Sequence, residues 1–409
     1  MIQSLKGMPD LVGEDAKKFN YIVNCAKEVV QNYGYSYIET PILEKSELFI
    51  RSVGGSSDIV NKEMYRFIDN GKNDVCLRPE GTAGVVRYFI QNKLDKQPNR
   101  YRYFYYGPVF RYERPQKGRL REFHQFGCES FGEESVYEDY TIIEIASKIL
   151  DKLNIEYRLE LNSLGCKECR PIYTKKLKEF LNDRKDKLCQ DCNRRLEQNP
   201  LRVLDCKVES CQEEYKDAPK ITDNLCSSCN SDFEKLKSIL DNNDIKYIIN
   251  KNLVRGLDYY NKTIFEFVSS NIGAQGTVIG GGRYDGLVGL MGGKDTPAIG
   301  FGMGIERLML LLDLPDEEPK GYYLGALDEA SIPEILKLSS KLRDYSLVEL
   351  EYSAKKLRNH LKVADKKGLR YCLIIGENEI KNETVWLKDL VTKDEQELSL
   401  EQFLNSIKK

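Results

Sequence analysis

The stretch GPVFRYERPQKGRLREFHQFGCESFG, residues 107–132, decides how the chain is read. Two runs with the aromatic character of strands flank a basic loop, RPQKGRLRE, and charge recurs at alternating positions. Side chains alternate between strand faces, so Arg111 and Glu113 share one face while Phe110 and Tyr112 take the other. On the return run Gln125, Gly127 and Glu129 share a face, opposite His124, Phe126 and Cys128. Charged residues rarely go inside a protein unless paired or ligand-bound. Gly127 between two polar residues leaves a bare floor for a ligand, and the basic loop suits phosphate groups. A solvated hairpin with an ion pair explains either run alone, but not the whole pattern.

At 409 residues the chain exceeds one ordinary core, which predicts two or three domains. Hydrophobic residues make up 41% and charged ones 31%, a balance that excludes wholesale disorder. The N-terminus MIQSLKGMPDLVGEDAKKFN has no apolar signal core, and no later apolar run reaches a bilayer span. A cytoplasmic protein is expected. The formal net charge of −2 excludes a uniformly basic protein, although a local basic patch is enough to neutralise phosphates. Twelve cysteines without an export signal point to reduced thiols, and to metal binding before disulfides. The two histidines, His124 and His360, give a His-based triad or His-rich metal centre little material.

The spacing of Phe19, Ile22, Val23, Ala26, Val29 and Val30 predicts a helix over 15–34, closed by Gly34. Strand patterns dominate from Tyr101 to Phe131, and a further helix is expected over 136–153. From Asn162 to Ser238, eight of the twelve cysteines lie among Lys, Glu and Asp, as in an inserted module. Strand and glycine-loop patterns resume in LVRGLDYYNKTIFEFVSS (253–270) and GAQGTVIGGGRYDGLV (273–288). The acidic, proline-containing DLPDEEPKG (313–321) reads as a linker. Beyond it, strand runs YYLGAL, VELEY and YCLIIG alternate with helical PEILKLSSKLRD and AKKLRNHLKVADKKG, a small α/β domain. The glycine runs GGGRYDG and GFGMG lack the spacing and the following acid of a dinucleotide loop.

FRYER, its basic loop and HQFGCE together resemble motif 2 of the class II aminoacyl-tRNA synthetases, in the form found in the histidyl-tRNA synthetase family. LRPEGTAGVVRY (77–88) resembles that family's amino-acid-binding segment. LVRGLDYYNKTIFEF (253–267) resembles its histidine-specific signature, and AIGFGMGIERLML (298–310) class II motif 3. Pro41 in IETPILE sits where motif 1 has its dimer-interface proline. The resemblance implies an α+β fold: a class II synthetase antiparallel sheet with flanking helices, a cysteine-rich insertion and a C-terminal α/β anticodon-binding domain. On this reading residues 1–161 and 239–318 form the catalytic domain, 162–238 the insertion, and 322–409 the anticodon-binding domain.

The family joins histidine to ATP as an adenylate, releasing pyrophosphate, then transfers the histidyl group to the 3′ end of its tRNA. The resemblance therefore implies L-histidine, ATP with Mg2+ and the cognate histidine tRNA as ligands, and a homodimer without membrane attachment. Bringing a carboxylate against a polyanion calls for cations. By motif position, Arg111 contacts the α-phosphate and the histidine carboxylate, and Arg255 approaches from the other side; these are the catalytic pair. Arg119 reaches the γ-phosphate, Arg307 packs against adenine and the ATP tail, and Glu113 accepts from the adenine amine. A neutral imidazole has one donor and one acceptor nitrogen. The resemblance assigns Glu129 and Tyr260 to it, with Tyr259 and Tyr284 lining the pocket. Glu80, Thr82 and Gln125 hold the α-ammonium group, and Gly81 belongs to the same histidine-binding segment. Such a pocket rejects analogues without the polar atoms by roughly 10⁴-fold, so no editing domain is expected.

Within the insertion, CxxC pairs occur at Cys166 and Cys169, Cys189 and Cys192, and Cys226 and Cys229. Cys206 and Cys211 lie between the second and third pairs. This spacing lets two sulfurs face one zinc ion. Eight thiolates serve two four-cysteine sites or one site with spare cysteines; the alternative is a module of reduced cysteines that folds without metal. The family's catalysis does not require zinc, so metal loss is expected to weaken tRNA charging more than adenylation. Farther on, Lys355, Lys356, Arg358, Lys362, Lys366, Lys367 and Arg370 surround a stripe of Leu357, Leu361 and Ala364, expected to be buried. That basic excess suits a tRNA backbone. Two other classes compete: a non-catalytic synthetase-like regulatory subunit of histidine biosynthesis, and a stress-sensing tRNA-binding module. The regulator typically loses the signature arginine and the C-terminal domain, whereas this chain keeps Arg255 and residues 322–409. The sensor is expected to need an attached kinase or partner domain.

Overall fold

The computed structural model describes all residues except 55, 56, 273–275, 317, 408 and 409. The start of the 273–288 glycine stretch and Glu317 of the acidic linker thus lie outside the described residues. The chain divides into two compact units, Met1–Asp313 and Leu314–Lys409.

The first unit is built on an eight-stranded sheet. Its order is Ser36–Tyr37, Tyr101–Phe110, Glu122–Phe131, Ala298–Gly304, Thr277–Arg283, Asn261–Val268, Arg158–Ser163, Tyr247–Ile249. Both edge strands pair in parallel, and every pairing between them is antiparallel. Alternation divides the sheet into two faces. Phe104, Phe126, Cys128, Phe301 and Met303 are buried on one of them, where helices Gly13–Asn32 and Val136–Lys152 pack. The first of these helices, expected over 15–34, starts two residues earlier and ends at Asn32, with Gly34 at φ +77° just past its end. The second starts at the Ser135 hydroxyl, which accepts from the Tyr137 amide at 3.3 Å.

One detail of the opening stretch differs from its reading. The first strand ends at Phe110, so Arg111 and Glu113 extend beyond it. The Tyr112 amide turns aside to Glu63 O at 2.7 Å, and Pro115 has no amide proton with which to continue a ladder. Strict strand alternation therefore holds up to Phe110 and along the return strand, and stops short of Arg111 and Glu113.

The cysteine-rich insertion is helical: Cys169–Asn182, Gln190–Gln198, Glu209–Tyr215 and Ser227–Asn242. Tyr173, Leu177, Leu181, Leu196 and Val203 pack inside it, in one hydrophobic cluster with Val85, Tyr259 and Tyr284 of the sheet unit. A polar composition had hidden this core.

The second unit holds a five-stranded sheet ordered Val348–Leu350, Tyr322–Ala326, Tyr371–Ile375, Thr384–Asp389, Glu395–Ser399. The first three strands are parallel and the last two antiparallel, a hairpin the sequence reading did not include. Its basic helix, Leu357–Lys366, buries Ala364 and packs Leu361 against the core as expected, but its inward face takes in His360 in place of Leu357. Leu357 is 37% exposed while His360 is fully buried, bonded to the Tyr323 hydroxyl and Ala326 O, each at 2.9 Å. A doubly satisfied imidazole buries at little cost. Lys355, Lys367 and Arg370 already pair with Glu351, Glu349 and Asp389, which trims the basic excess. No helix among the described residues is long and apolar enough to cross a membrane.

Candidate active site

On the second face of the large sheet, register aligns Tyr105, Gly127, Gly302, Gly280 and Glu266 across adjacent strands. The run of glycine is a packing requirement. A Cβ on Gly127 would lie 2.4 Å from the Tyr105 ring, and one on Gly280 2.2 Å from Arg255 Nη2. The missing side chains are the space in which Tyr105 and Arg255 lie across the sheet. This explains the glycines of TVIGGGR and AIGFGMG without a dinucleotide loop.

Arg111, Arg119, Arg255 and Arg307 line one cavity over this floor, together with Glu113 and Glu306. Arg111 Nε donates to Pro79 O at 2.9 Å, and Arg119 pairs with Glu113 at 2.9 Å. Arg307 donates to Gly118 O at 3.2 Å and Thr277 O at 2.5 Å, so carbonyls aim its guanidinium without neutralising it. Burial lowers the Arg307 pKa, and the cations of Arg119 and Arg111 lower it further. Arg255 pairs with Glu266, lies 5.7 Å from the Tyr260 ring, and keeps a buried Nε with no acceptor. Guanidinium groups crowded over a bare floor make a receptor for a polyanion.

Next to the cavity, Glu129 is 1% exposed. Its carboxylate accepts from the hydroxyls of Thr82 at 2.7 Å, Tyr105 at 3.1 Å and Tyr284 at 2.5 Å. Burial still dominates and pushes its pKa up to about 8. Tyr259 packs against Tyr260 and Tyr284, with ring centroids 4.7 and 5.6 Å away. Glu80 caps the helix Thr82–Gln91, accepting from the amides of Thr82 at 2.7 Å and Ala83 at 2.8 Å. Gln125 Oε1 accepts from the Gly81 amide at 3.2 Å. The nominated residues outside the cysteine module thus gather in one neighbourhood. Two participants were missed. Tyr105 donates to Glu129 and Glu266 holds Arg255; both belong to the aligned row, and only the pairing register brings them in.

The raised pKa of Glu129 has a stability consequence. Between the ordinary carboxyl value of 4.5 and about 8, the fold holds a proton that the unfolded chain has released, so stability falls as pH rises through that window. Glu129→Gln flattens this fall; urea melts at pH 5.5 and 8.5 measure it. An unchanged slope would remove Glu129 as its source.

The cysteines sort into two sets, Cys166, Cys169, Cys226 and Cys229, and Cys189, Cys192, Cys206 and Cys211, each with sulfurs within 4.8 Å of one another. Tetrahedral zinc with bonds of about 2.3 Å separates sulfurs by roughly 3.8 Å. Cys166 Sγ lies 3.6 Å from Cys169 Sγ and 3.9 Å from Cys226 Sγ, and Cys189 Sγ lies 3.9 Å from Cys206 Sγ. Of the arrangements that spacing left open, the geometry favours two four-cysteine sets over one with spares, and the donors fit zinc.

A family model described as histidyl-tRNA synthetase matches residues 7–308, and one described as an anticodon binding domain matches residues 321–409. The chain is 58% identical over 403 residues to the histidine–tRNA ligase of Sulfurimonas denitrificans, covering 98% of this chain and 100% of that protein. It is 55% identical over 403 residues to that of Campylobacter fetus subsp. fetus, covering 98% of each. Among solved structures, apo histidyl-tRNA synthetase from S. aureus matches with a TM-score of 0.84 at 33% identity, over 100% of both chains.

Proposed function

The chain belongs to the histidyl-tRNA synthetase family, and from that premise we propose that it is a histidine–tRNA ligase working through the cationic cavity and the Glu129 pocket. The observation that carries this reading is their adjacency: an arginine-lined polyanion site opens beside a buried carboxyl ringed by the hydroxyls of Thr82, Tyr105 and Tyr284. In the first step a histidine carboxylate oxygen attacks the α-phosphorus of magnesium-bound ATP, and the bond to the departing pyrophosphate breaks. Arg111 and Arg255 take the developing charge on the α-phosphoryl oxygens. Arg119 leaves Glu113 for the γ-phosphate, which frees Glu113 to accept from the adenine amine. Arg307 backs the adenine and the ATP tail. Glu129 and Tyr260 address the imidazole, Tyr259 and Tyr284 shape its walls, and Glu80, Gly81, Thr82 and Gln125 surround the α-ammonium end. In the second step the 3′-terminal ribose hydroxyl of the tRNA attacks the activated carbonyl, and AMP departs.

We assign residues 1–161 and 239–318 to catalysis, 162–238 to the insertion and 322–409 to anticodon binding; the unit boundary after Asp313 supports setting the anticodon-binding part apart from the rest. The working form is a cytoplasmic homodimer. Exposed Ile42, Leu43 and Leu290, beside a cavity whose lining joins Pro41, Leu48 and Met291 to Glu44, Glu47, Arg51 and Arg87, support a mixed apolar and charged contact there. Sedimentation at twice the chain mass is the expected result, and a monomer would count against it. Zinc in the cysteine sets belongs to the same reading.

Histidine-dependent pyrophosphate release from ATP tests the activity. Its absence, with tRNA binding intact, would favour a non-catalytic role. Cutting the chain after Lys320 is expected to lower aminoacylation roughly tenfold or more, by removing one of two tRNA contacts, while ATP–pyrophosphate exchange continues. Full aminoacylation by the shortened chain would contradict the anticodon assignment.

A further inference from the structure

Building on the histidine-activation reading, we propose that both four-cysteine sets hold zinc, and that the two centres fix the module in the shape that positions the Leu253–Tyr260 loop. Three module side chains grip that loop. Arg170 Nη1 donates to Tyr260 O at 2.9 Å, and Arg202 Nη1 to Gly256 O at 2.6 Å. Asn199 Nδ2 donates to Asp258 Oδ1 at 2.9 Å, and the same carboxylate lies 3.6 Å from Arg202. These contacts fall at Gly256, Asp258 and Tyr260, directly after Arg255 and on either side of Tyr259, the loop residues assigned to chemistry and to the imidazole pocket.

The gripping residues sit on the metal ligands' own segments. Arg170 directly follows Cys169, and Asn199 and Arg202 lie on the span from Cys192 to Cys206. The first set joins the chain where it enters the module, at Cys166 and Cys169, to where it leaves, at Cys226 and Cys229. The second ties the start of helix Gln190–Gln198 to the end of the turn Pro200–Asp205 that carries Arg202. Backbone amides point at the sulfurs in both: Cys226 N to Cys169 Sγ at 3.1 Å, Glu168 N to Cys166 Sγ at 3.4 Å, Cys189 N to Cys211 Sγ at 3.2 Å and Val208 N to Cys206 Sγ at 3.5 Å. Such donors spread the surplus negative charge of a four-thiolate zinc site. Metal loss therefore weakens histidine activation first, the reverse of the order expected from sequence, because the grip falls on the adenylation loop. Arg170, Asn199 and Arg202 are positioning residues.

The test uses the full-length chain purified without chelator. Elemental analysis is expected to give two zinc equivalents per chain, and the double variant Cys189→Ser, Cys192→Ser to retain one. Arg170→Ala, which touches no sulfur, keeps both equivalents, yet calorimetry shows histidine binding weakened about tenfold, as for losing one charged hydrogen bond, with ATP binding unchanged. Arg170→Lys recovers part of that loss. Fewer than two zinc equivalents, iron in their place, or unaltered histidine affinity in Arg170→Ala would overturn the proposal. A wild-type chain that carries two zinc ions but fails to bind histidine overturns the function reading instead, and leaves the metal centres standing.

Discussion

Arg255→Ala lowers kcat for histidine-dependent ATP–pyrophosphate exchange by roughly 10²-fold or more, the usual loss when one preorganised donor to a developing oxyanion is removed. KM for histidine rises far less, because the interaction strengthens as charge builds on the α-phosphoryl group. The structure supplies the reason to expect preorganisation. Arg255 is clamped by Glu266, lies against the Tyr260 ring, and rests over Gly280, where no side chain fits beneath it. Its Nε is buried without an acceptor, a donor whose desolvation an arriving phosphoryl oxygen would offset. The substitution is also tolerable to the fold. Glu266, left alone, still accepts from Thr277 Oγ1 at 2.7 Å and is 16% exposed, so no isolated charge is sealed inside. Arg255→Lys separates charge from geometry: it keeps the cation but loses the planar fork, and recovers only part of the rate. Near-normal exchange in Arg255→Ala, with the fold intact by near-ultraviolet circular dichroism, would remove this arginine from the mechanism.

What could be read from sequence, and what could not, divides along the range of the physics involved. The hairpin around residues 107–132 was legible because alternation and aromatic content are local properties of a strand. The return strand carries Gln125, Gly127 and Glu129 on one face as read. The departure at Arg111 was less legible, since it depends on Glu63, far away in sequence, accepting the Tyr112 amide. Tyr105 was invisible for the same kind of reason. Nothing in YRYFYYGPVF distinguishes it from its aromatic neighbours until register sets it opposite Gly127, whose missing Cβ makes room for the ring. His360 escaped because a buried histidine is chosen by its partners, Tyr323 and Ala326, and not by its own apolarity. The CxxC spacing signalled metal, but which pairs meet depends on helices that bring residues 166–169 and 226–229 together. That pairing is tertiary information.

Glu129→Gln is the second large expected effect, a fall of roughly 10²-fold in kcat/KM for histidine, and its pH dependence identifies the cause. In the free protein burial holds the Glu129 carboxyl protonated up to about 8. The substrate imidazole is neutral above its own value of about 6.5. Between these limits carboxyl and imidazole bring one proton to share, whether it sits on Glu129 or on the ring in the complex. Below about pH 6.5 the two partners bring two protons, and one must leave before they pair. Above about 8 they bring none, and a pair that shares this proton must take one up. Histidine affinity in the wild type is therefore greatest between these pH values and falls on both sides, by up to tenfold per pH unit well outside the window. A glutamine cannot ionise, so the alkaline limb disappears in Glu129→Gln while any limb due to the substrate's other groups remains. The amide still accepts one hydrogen bond, and the hydroxyls of Tyr105, Tyr284 and Thr82 can rotate to suit it, so the loss reports the shared proton and not collapse of the pocket. Calorimetric histidine binding from pH 5.5 to 9 makes the comparison directly. An alkaline limb of equal steepness in wild type and variant would show that the proton at this site plays no part in selecting histidine.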